Sequence, residues 1–433
     1  MDIKSNTIFL LVDKFAILFG SLVLSIFTFR VLGTEKVGIL YSAQSFWALF
    51  GFLLSLGLES ILVKYFIIYK RRKLELLFAA FFLKIIGSLL AIFISIISVF
   101  IYSDDSVFIT IIFIICINGL FNPYSVIDTF LQSEHKAKIA VKRRLVAKGV
   151  SSVFNLILIL VTTNIYYFAT INIVYNLVLL VLYLKIINNE GVFFKDAFKF
   201  YNPKMMKLLL YRATPLILAS ISIPIFMQSD LVMVNYILGP GAAGIFSAAV
   251  KLTLPWTLIA TAIVTAIFPY LVSIANNQYG LNKKTMEVSS FLFWGATILA
   301  IIVSLNSEFI IHLLYGDEFI ESSVILSLQI WTCAIAFLGP VGSRWLIIKG
   351  LQKIELYKTL SAAIINVLLN VLMIPEYGLI GASVASLISY FIANILFFAI
   401  YPPTRQLFIL QMKAINPFHM LGFIYLLKNS KAV

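Results

Sequence analysis

The segment 31–43 reads VLGTEKVGILYSA, and the segment 237–249 reads ILGPGAAGIFSAA. At one offset of 206 residues, the alignment pairs Gly33 with Gly239, Gly38 with Gly244, Ile39 with Ile245 and Ala43 with Ala249. Glycine is favoured where a helix ends in a left-handed conformation, and Pro240 stops a helix from continuing. The small residues after the turn let two helices approach closely. The chain therefore contains one tight helical hairpin twice, which predicts two copies of a larger unit.

The composition is that of a membrane protein. Of the 433 residues, 61% are hydrophobic and 12% are charged, with a mean hydropathy of +1.01, whereas soluble domains have about 45–50% apolar and about 25% charged residues. Apolar runs of about 20 residues, long enough to cross a membrane as helices, recur along the whole chain. The first run, 8–32, is too long for a cleaved signal peptide, and we expect it to be retained. These features predict an all-α polytopic membrane protein.

About twelve apolar spans are predicted, and the charges between them set the orientation of the chain. The spans lie at roughly 8–32, 39–57, 74–102, 106–132, 144–163, 165–186, 212–238, 243–272, 289–306, 323–348, 359–375 and 379–401. Lysine and arginine fill alternate loops, for example 70–73 and 142–144, whereas acids such as Asp104 and Asp105 occupy the opposite loops. This positive-inside bias predicts cytoplasmic N- and C-termini. It also explains the net charge of +14 by topology, without a nucleic-acid partner.

A second set of matches supports a division into two halves. At an offset of 217 residues, the chain pairs Cys116 with Cys333, Pro123 with Pro340 and Lys136 with Lys353. These residues lie in or just after spans 4 and 10. Because each half has an even number of spans, both copies share one orientation, which is the parallel repeat of some transporters. We predict an N-terminal six-helix bundle (1–186), a basic cytoplasmic linker (187–211), a C-terminal six-helix bundle (212–402) and a cytoplasmic or interfacial tail (403–433).

Ionisable side chains inside the spans are the candidate functional residues, because a charge inside a membrane is costly and usually functional. The cations are Lys14, Arg30, Lys84, Lys251 and Arg344, and the acids are Asp13, Asp128 and Asp230. Other interpretations stay open, since Arg30 and Lys84 can extend to an interface. In the same way, Asp13 can pair with Lys14, and Asp128 can lie at the cytoplasmic end of its span. The excess of cations favours an anionic substrate.

Uncharged polar residues recur on single faces of several spans. Asn118 and Asn122 share a face of span 4, and Asn366 and Asn370 share a face of span 11. Such stripes predict a hydrated cavity, although the same residues also join helices directly by hydrogen bonds. Prolines such as Pro123 interrupt the spans and supply places where helices bend.

The sequence contains no catalytic or metal-binding motif. The phosphate loop G-x-x-x-x-G-K-[ST] is absent, so ATP hydrolysis by this chain is not expected. The three histidines lie in loops or in the tail, away from any Cys/His cluster. A membrane glycosyltransferase would use acidic pairs such as Asp104 and Asp105, but it also needs an acceptor-binding domain, and the loops are short. We therefore expect a protein that is not an enzyme and that has no metal and no cofactor.

Six stretches carry a resemblance to a known family. They are FRVLGTEKVGILYSA, FLQSEHKAKIA, SDLVMVNYILGPGAAGIFSAAVKL, AIFPYL, IIKGLQKIELYK and PEYGLIGASVASLISY. In this order they resemble the bacterial flippases for lipid-linked polysaccharide repeat units, of the multidrug, oligosaccharidyl-lipid and polysaccharide exporter superfamily. The resemblance implies twelve helices in two six-helix bundles that form a V around a central cavity. Arg30 matches the family's arginine before Leu-Gly, and Asp230 matches its acidic position in the seventh helix.

The resemblance also implies a function. The family moves an undecaprenyl-pyrophosphate-linked oligosaccharide, such as an O-antigen or capsule repeat unit, between the leaflets of the bacterial inner membrane by alternating access. The cations would hold the pyrophosphate by charge-assisted hydrogen bonds. Asp13, Asp128 or Asp230 would couple transport to a proton or a sodium ion. Expected partners are the lipid-linked oligosaccharide, membrane lipids and other polysaccharide-assembly proteins.

Two other functions stay open on the sequence alone. A cation-coupled drug exporter of the same superfamily would favour an acidic, aromatic pocket, whereas the charges inside these spans are mainly cationic. A non-transporting membrane component of polysaccharide assembly is the second alternative. Because Lys413, Asn416 and Pro417 break the tail after Pro403, the sequence predicts an interfacial, partner-binding segment there and not a thirteenth span.

Overall fold

The computed structural model describes residues 3–134, 136–189 and 194–429, and within these ranges it contains helices and no strands. Side chains are described from residue 20 to residue 425, apart from 60, 135, 189–196, 215, 218 and 219. The prediction of an all-α protein is confirmed.

The first ten α-helices are α1 (Ile3–Leu49), α2 (Gly51–Ser55), α3 (Glu59–Ile68), α4 (Lys73–Tyr102), α5 (Ser106–Cys116), α6 (Val126–Ser133), α7 (Ala137–Val161), α8 (Ile165–Ala169), α9 (Ile171–Asn189) and α10 (Pro203–Leu238). The others are α11 (Pro240–Ser273), α12 (Gln278–Leu305), α13 (Ser307–Tyr315), α14 (Ser322–Gln329), α15 (Trp331–Ala336), α16 (Leu338–Ile348), α17 (Lys353–Phe391), α18 (Phe397–Ile400), α19 (Arg405–Ala414) and α20 (Phe418–Asn429). Short 3-10 helices occur at Lys70–Arg72, Ile117–Ser125, Phe194–Phe200, Asp317–Phe319 and Pro402–Thr404, and one π-helical turn at Ile392–Leu396.

Many of these helices are suited to a membrane. In the described part of the chain, nine helical stretches are long and apolar enough to cross one, and a bent pair near the C-terminus makes ten if it counts as one span. The prediction of a multi-pass membrane protein is confirmed. Helices α1 and α17 each join two predicted spans across a glycine with a non-helical backbone, Gly33 and Gly378. The count of twelve and the V-shaped pair of bundles stay predictions.

The two repeated corners have the same backbone conformation. Gly33 has φ 75° and ψ 174°, and Gly239 has φ 87° and ψ 174°. This combination belongs to a region of backbone space that is essentially reserved for glycine. The sequence predicts a left-handed glycine at both corners. Both glycines have the positive φ of such a residue, but ψ of 174° makes the backbone extended and not left-handed helical.

Replacing Gly239 by alanine is expected to lower the free energy of unfolding by about 1–3 kcal/mol, the usual cost of such a backbone conformation in a residue with a Cβ. The loss would be purely conformational, because a Cβ at Gly239 meets no atom within 4 Å. Gly241→Ala is the matched control, since Gly241 also has open space around it but no positive φ. Unfolding of both variants in detergent tests this expectation, and equal losses at the two positions would contradict it.

The chain divides into two compact units, Met1–Tyr236 and Ile237–Val433, and each has its own apolar core. In the first unit, α3, α4 and α6 pack together, and the rings of Phe66 and Phe130 meet edge to face with centroids 5.5 Å apart. In the second unit, the core residues of α11, α12 and α16 include Val264, Leu292 and Val341. The predicted boundaries after residues 186, 211 and 402 stay predictions.

The described part of the linker packs on the first unit. Its 3-10 helix Phe194–Phe200 ends with Phe200 stacked on Phe78 of α4, with ring centroids 5.8 Å apart. Asn202 then donates a hydrogen bond to Glu75 at 2.6 Å. The linker is therefore anchored to the beginning of α4.

The two spans that carry the second set of repeat matches are both broken. Span 4 runs through α5, the nine-residue 3-10 segment Ile117–Ser125 and α6. Pro123 lies inside that segment, where its missing N–H removes a hydrogen bond that an α-helix would need. Span 10 consists of α14, α15 and α16, which are separated at Ile330 and Phe337. Both breaks lie beside polar cavities.

The tail forms two helices, α19 and α20, that meet at an angle of 97°. The bend falls at Asn416 and Pro417, where the sequence predicts a break. Trp294 and Ser290 of α12 donate hydrogen bonds to the carbonyl oxygens of Ile415 and Asn416, at 2.9 and 3.1 Å. The tail is thus docked on α12, and its predicted place at the membrane interface stays a prediction.

Candidate functional site

A cavity of about 370 Å³ lies beside the broken span of the first unit. Aromatic rings and amides form much of its lining, including Trp47, Asn118, Asn122, Tyr124, Tyr175 and Asn176. Asn176 Nδ2 donates to Asn118 Oδ1 at 2.9 Å, and Asn122 Nδ2 donates to the carbonyl oxygen of Leu54 at 2.6 Å. Each hydrogen bond holds an amide at the wall and leaves part of its bonding capacity for a ligand. The structure therefore brings Asn118 and Asn122 of the predicted stripe to one cavity.

One ion pair belongs to the wall of this cavity. Arg144 of α7 donates a hydrogen bond to a carboxylate oxygen of Asp128 on α6. Their side chains are 17% and 22% exposed, so the protein shields the pair from most of the solvent. Because the two charges cancel, the wall is polar without a net charge. Asp128, one of the predicted coupling residues, thus has a cationic partner from the next span.

Lys84 lies behind the same cavity. Its side chain is fully buried on α4, and its ammonium group donates to Glu59 Oε1 at 3.2 Å and to Ser125 Oγ at 2.7 Å. Ser125 lines the cavity, whereas the Glu59 side chain is 60% exposed. Lys84 therefore supports the cavity wall through Ser125 and does not itself belong to the lining.

The second unit holds a cavity of about 430 Å³ beside its own broken span. Arg344 of α16 lines this cavity, and its side chain contacts α11. Its guanidinium carbon lies 4.8 Å from the centroid of the Phe268 ring, and one guanidinium nitrogen donates to Thr265 Oγ1 at 3.5 Å. A guanidinium placed over an aromatic ring is stabilised by the ring without using its N–H groups, which stay available as donors for a ligand. Arg344 is the predicted cation that the structure places most directly in a cavity.

A carboxylate and a second cation complete this cavity. Lys358 of α17 pairs with Glu355 Oε1 at 2.7 Å, and Ser343 Oγ donates to the same oxygen at 3.0 Å. The hydroxyls of Thr261 and Thr265 also line the cavity. Because the lining contains two cations, Arg344 and Lys358, and one carboxylate, Glu355, the cavity carries a net positive charge. Arginine, lysine and hydroxyl groups together are typical of phosphate-binding sites.

The two cavities occupy equivalent places in the repeat. The first borders the segment around Pro123 and is lined in part by Arg144 of α7, and the second borders Pro340 and is lined in part by Glu355 and Lys358 of α17. Their chemistry differs, because the first has amides and a neutral ion pair while the second has an excess of cations. The repeat therefore keeps the position of the cavity and changes the ligand that it suits.

Several predicted site residues lie elsewhere. Arg30 is exposed on α1, while Lys251 and Asp230 are half-buried on α11 and α10. Lys14 and Asp13 belong to α1, and their side chains are outside the described residues. A role for these five in binding substrate or ions stays a prediction.

Asn366 and Asn370 are buried one turn apart on α17, and Asn370 Nδ2 donates to Asn366 Oδ1 at 3.3 Å. Neither belongs to the lining of the two cavities. In the part of the chain that the structure describes, no three His, Cys, Asp or Glu side chains come together as metal ligands.

Four charged residues at or just behind the cavity walls are not among the predicted site residues, namely Arg144, Glu59, Glu355 and Lys358. Arg144 follows Asp128 by 16 residues and lies on another helix, so their pairing depends on how the helices pack. Glu59 lies outside the predicted spans, where an acid ordinarily faces water. Glu355 could be recognised from the sequence, because its i,i+3 spacing from Lys358 predicts an ion pair on one helical face.

Comparison with known proteins gives matches in both sequence and fold. Residues 3–275 match the family described as "Polysaccharide biosynthesis protein". The chain is 24% identical over 237 residues to the "Probable lipid II flippase MurJ" of Helicobacter pylori strain J99, a match that covers 53% of this chain and 48% of that protein. The chain thus spans about half the length of the curated relatives that it matches, or less.

Solved structures resemble the chain over nearly all of its length. The "Lipid II flippase MurJ, inward closed conformation" has a TM-score of 0.70 at 16% identity, covering 95% of this chain and 92% of that one. An inward-facing multidrug resistance MATE family transporter of the MOP superfamily has a TM-score of 0.67 at 15% identity, covering 96% of both chains. At these identities the likeness concerns the fold, which is that of the MOP transporters.

Proposed function

Because the chain belongs to the polysaccharide biosynthesis protein family, we propose that it is a flippase that carries a lipid-linked oligosaccharide across the membrane. The substrate would be an undecaprenyl-pyrophosphate-linked O-antigen or capsule repeat unit, moved from the cytoplasmic to the periplasmic leaflet by alternating access. The name of the Helicobacter relative and the fold of the MOP transporters support this proposal. The proposal involves no catalytic chemistry and no cofactor.

The cationic cavity of the second unit is the observation that carries the proposal. A pyrophosphate needs fixed N–H donors and positive charge in a site shielded from water, because charge-assisted hydrogen bonds strengthen as the surroundings become less polar. Arg344 supplies the donors and Lys358 adds charge. The Thr265 hydroxyl accepts from Arg344 and keeps its own proton as a further donor, whereas Thr261 Oγ1 donates to the carbonyl oxygen of Thr257. A cationic drug would be repelled by the same groups. The cavity therefore favours the flippase over the drug exporter.

Location, coupling and partners follow as parts of this proposal. The distribution of lysine and arginine supports an inner membrane protein with both termini in the cytoplasm. Asp13, Asp128 and Asp230 stay the candidates for coupling to a proton or a sodium ion. Other polysaccharide-assembly proteins are proposed partners, and nucleic acid is not.

A leaflet assay in liposomes tests the proposed function. The purified protein is reconstituted with an undecaprenyl-pyrophosphate-linked oligosaccharide that carries a fluorophore on its sugar, and an impermeant reductant is added outside. We expect bleaching to exceed the outer-leaflet share that protein-free liposomes show, since inner-leaflet lipid would be brought out. Bleaching equal to that of protein-free liposomes would overturn the proposal. Accumulation of an organic cation in the same liposomes would then favour the drug exporter.

A further inference from the structure

We propose that the cavity of the first unit is a sugar-binding subsite, distinct from the cationic cavity of the second unit. The inference rests on the proposed function, because the sugar would be the head group of the carried lipid. It starts from the balance of charge in the wall. Asp128 and Arg144 form a pair, and Lys84 behind the wall pairs with Glu59, so no charge is left over for a phosphate or for a cationic drug. A neutral polar ligand matches such a wall.

The donors and acceptors of this wall match hydroxyl groups. A sugar hydroxyl both donates and accepts, so it needs a wall with both kinds of group. The Asn176 amide keeps its carbonyl oxygen and a second N–H after donating to Asn118. Ser125 accepts from Lys84, which leaves its own proton to donate. The carboxylate of Asp128 and the guanidinium of Arg144 add one strong acceptor and several donors.

Aromatic rings supply the second feature of a sugar site. Trp47, Tyr124 and Tyr175 border the same space as the amides. The C–H face of a pyranose ring is apolar enough to pack on an aromatic face, while its edge of hydroxyls needs hydrogen bonds. A cavity with rings and amides together offers both, and its volume of about 370 Å³ lies within the ~300–1,000 Å³ range of small-molecule pockets.

The arrangement also accounts for selectivity. A buried amide whose hydrogen bonds are left unmade costs free energy, so a site built for a hydroxyl rejects a ligand that lacks it. The second unit has no counterpart of this amide group in its cavity lining, where Arg344 and Lys358 dominate. The sugar and the phosphate would therefore be recognised by chemically different cavities.

Binding of free sugars to the detergent-purified, full-length protein tests the inference without any transport step. The probes are glucose, galactose, N-acetylglucosamine, N-acetylgalactosamine, rhamnose and glucuronate at millimolar concentrations, measured by saturation-transfer NMR and by quenching of tryptophan fluorescence. We expect saturable binding of at least one sugar. Asn176→Leu should weaken that binding about tenfold or more, because it removes the amide and nearly keeps the volume.

Asn172→Leu is the matched control, since Asn172 lies one turn earlier on α9, is exposed and does not line the cavity. It should leave the affinity unchanged. Binding of none of the sugars, or binding that Asn176→Leu leaves intact, would overturn the sugar subsite. The leaflet assay reports separately on the flippase, so flipping without sugar binding would refute only the subsite, and sugar binding without flipping would refute only the proposed transport.

Discussion

Arg344→Ala is expected to slow lipid flipping about 10- to 100-fold. The change removes a charge-assisted interaction with the pyrophosphate, which is worth about 1.5–3 kcal/mol, and each ~1.4 kcal/mol corresponds to a factor of ten in rate. Arg344→Lys should keep part of the rate, because it preserves the charge but loses the planar donors that lie on Phe268. The measurement is the initial rate of bleaching in the leaflet assay at equal amounts of reconstituted protein.

Lys353→Ala serves as the control for this prediction. Lys353 is exposed at the beginning of α17 and does not line the cavity, so its loss should leave the rate within about twofold of the unchanged protein. The same comparison with Lys358→Ala, one and a half turns further along α17, should again show slow flipping. If Arg344→Ala and Lys353→Ala flip lipid equally fast, the cationic cavity does not hold the pyrophosphate.

Glu59→Ala is expected to destabilise the first unit by about 2–3 kcal/mol, while Lys84→Met costs less than about 1 kcal/mol. Removing Glu59 leaves the fully buried ammonium of Lys84 without its counter-charge. Ser125 still accepts a hydrogen bond from it, so the loss stays below the ~3–5 kcal/mol of a pair broken in a fully buried site. Removing Lys84 is milder, because the Glu59 side chain is 60% exposed and water can solvate it.

A double-mutant cycle measures this difference directly. Thermal unfolding in detergent should rank Glu59→Ala as the least stable variant, and adding Lys84→Met to it should restore most of the loss. If the Lys84→Met variant unfolds at a temperature as low as that of the Glu59→Ala variant, packing around the lysine side chain contributes more to stability than its charge does. The order of the two single variants therefore decides between the two explanations.

Local chemistry made much of the fold predictable. The two corner glycines could be recognised from thirteen-residue segments, because only one residue type adopts their backbone conformation easily. The apolar runs predicted the helices, because the length and hydropathy of a span can be determined from one continuous segment without knowing how it packs. The break at Asn416 and Pro417 could also be predicted from the local sequence.

The cavities depend instead on packing between helices, and the sequence predicted them only in part. Arg344 and Asp128 could be predicted as site residues from the sequence, because a charged residue inside an apolar span is conspicuous. Arg144 and Lys358 lie near span ends, where a cation is ordinary, and only their tertiary partners distinguish them. Lys84 shows the reverse case, since it is conspicuous in the sequence yet lies behind a wall.

The change of offset between the two copies, from 206 residues at the corner to 217 at the broken span, has a structural counterpart. The first copy joins α4 to α5 through residues 103–105 alone, whereas the second joins α12 to α14 through α13 and a 3-10 turn. α13 presents Phe309 and Leu313 as exposed side chains. An antibody fragment or a chemical label directed at α13 would therefore mark one half of a duplicated scaffold and ignore the other. The two duplicated halves are therefore distinguishable from outside.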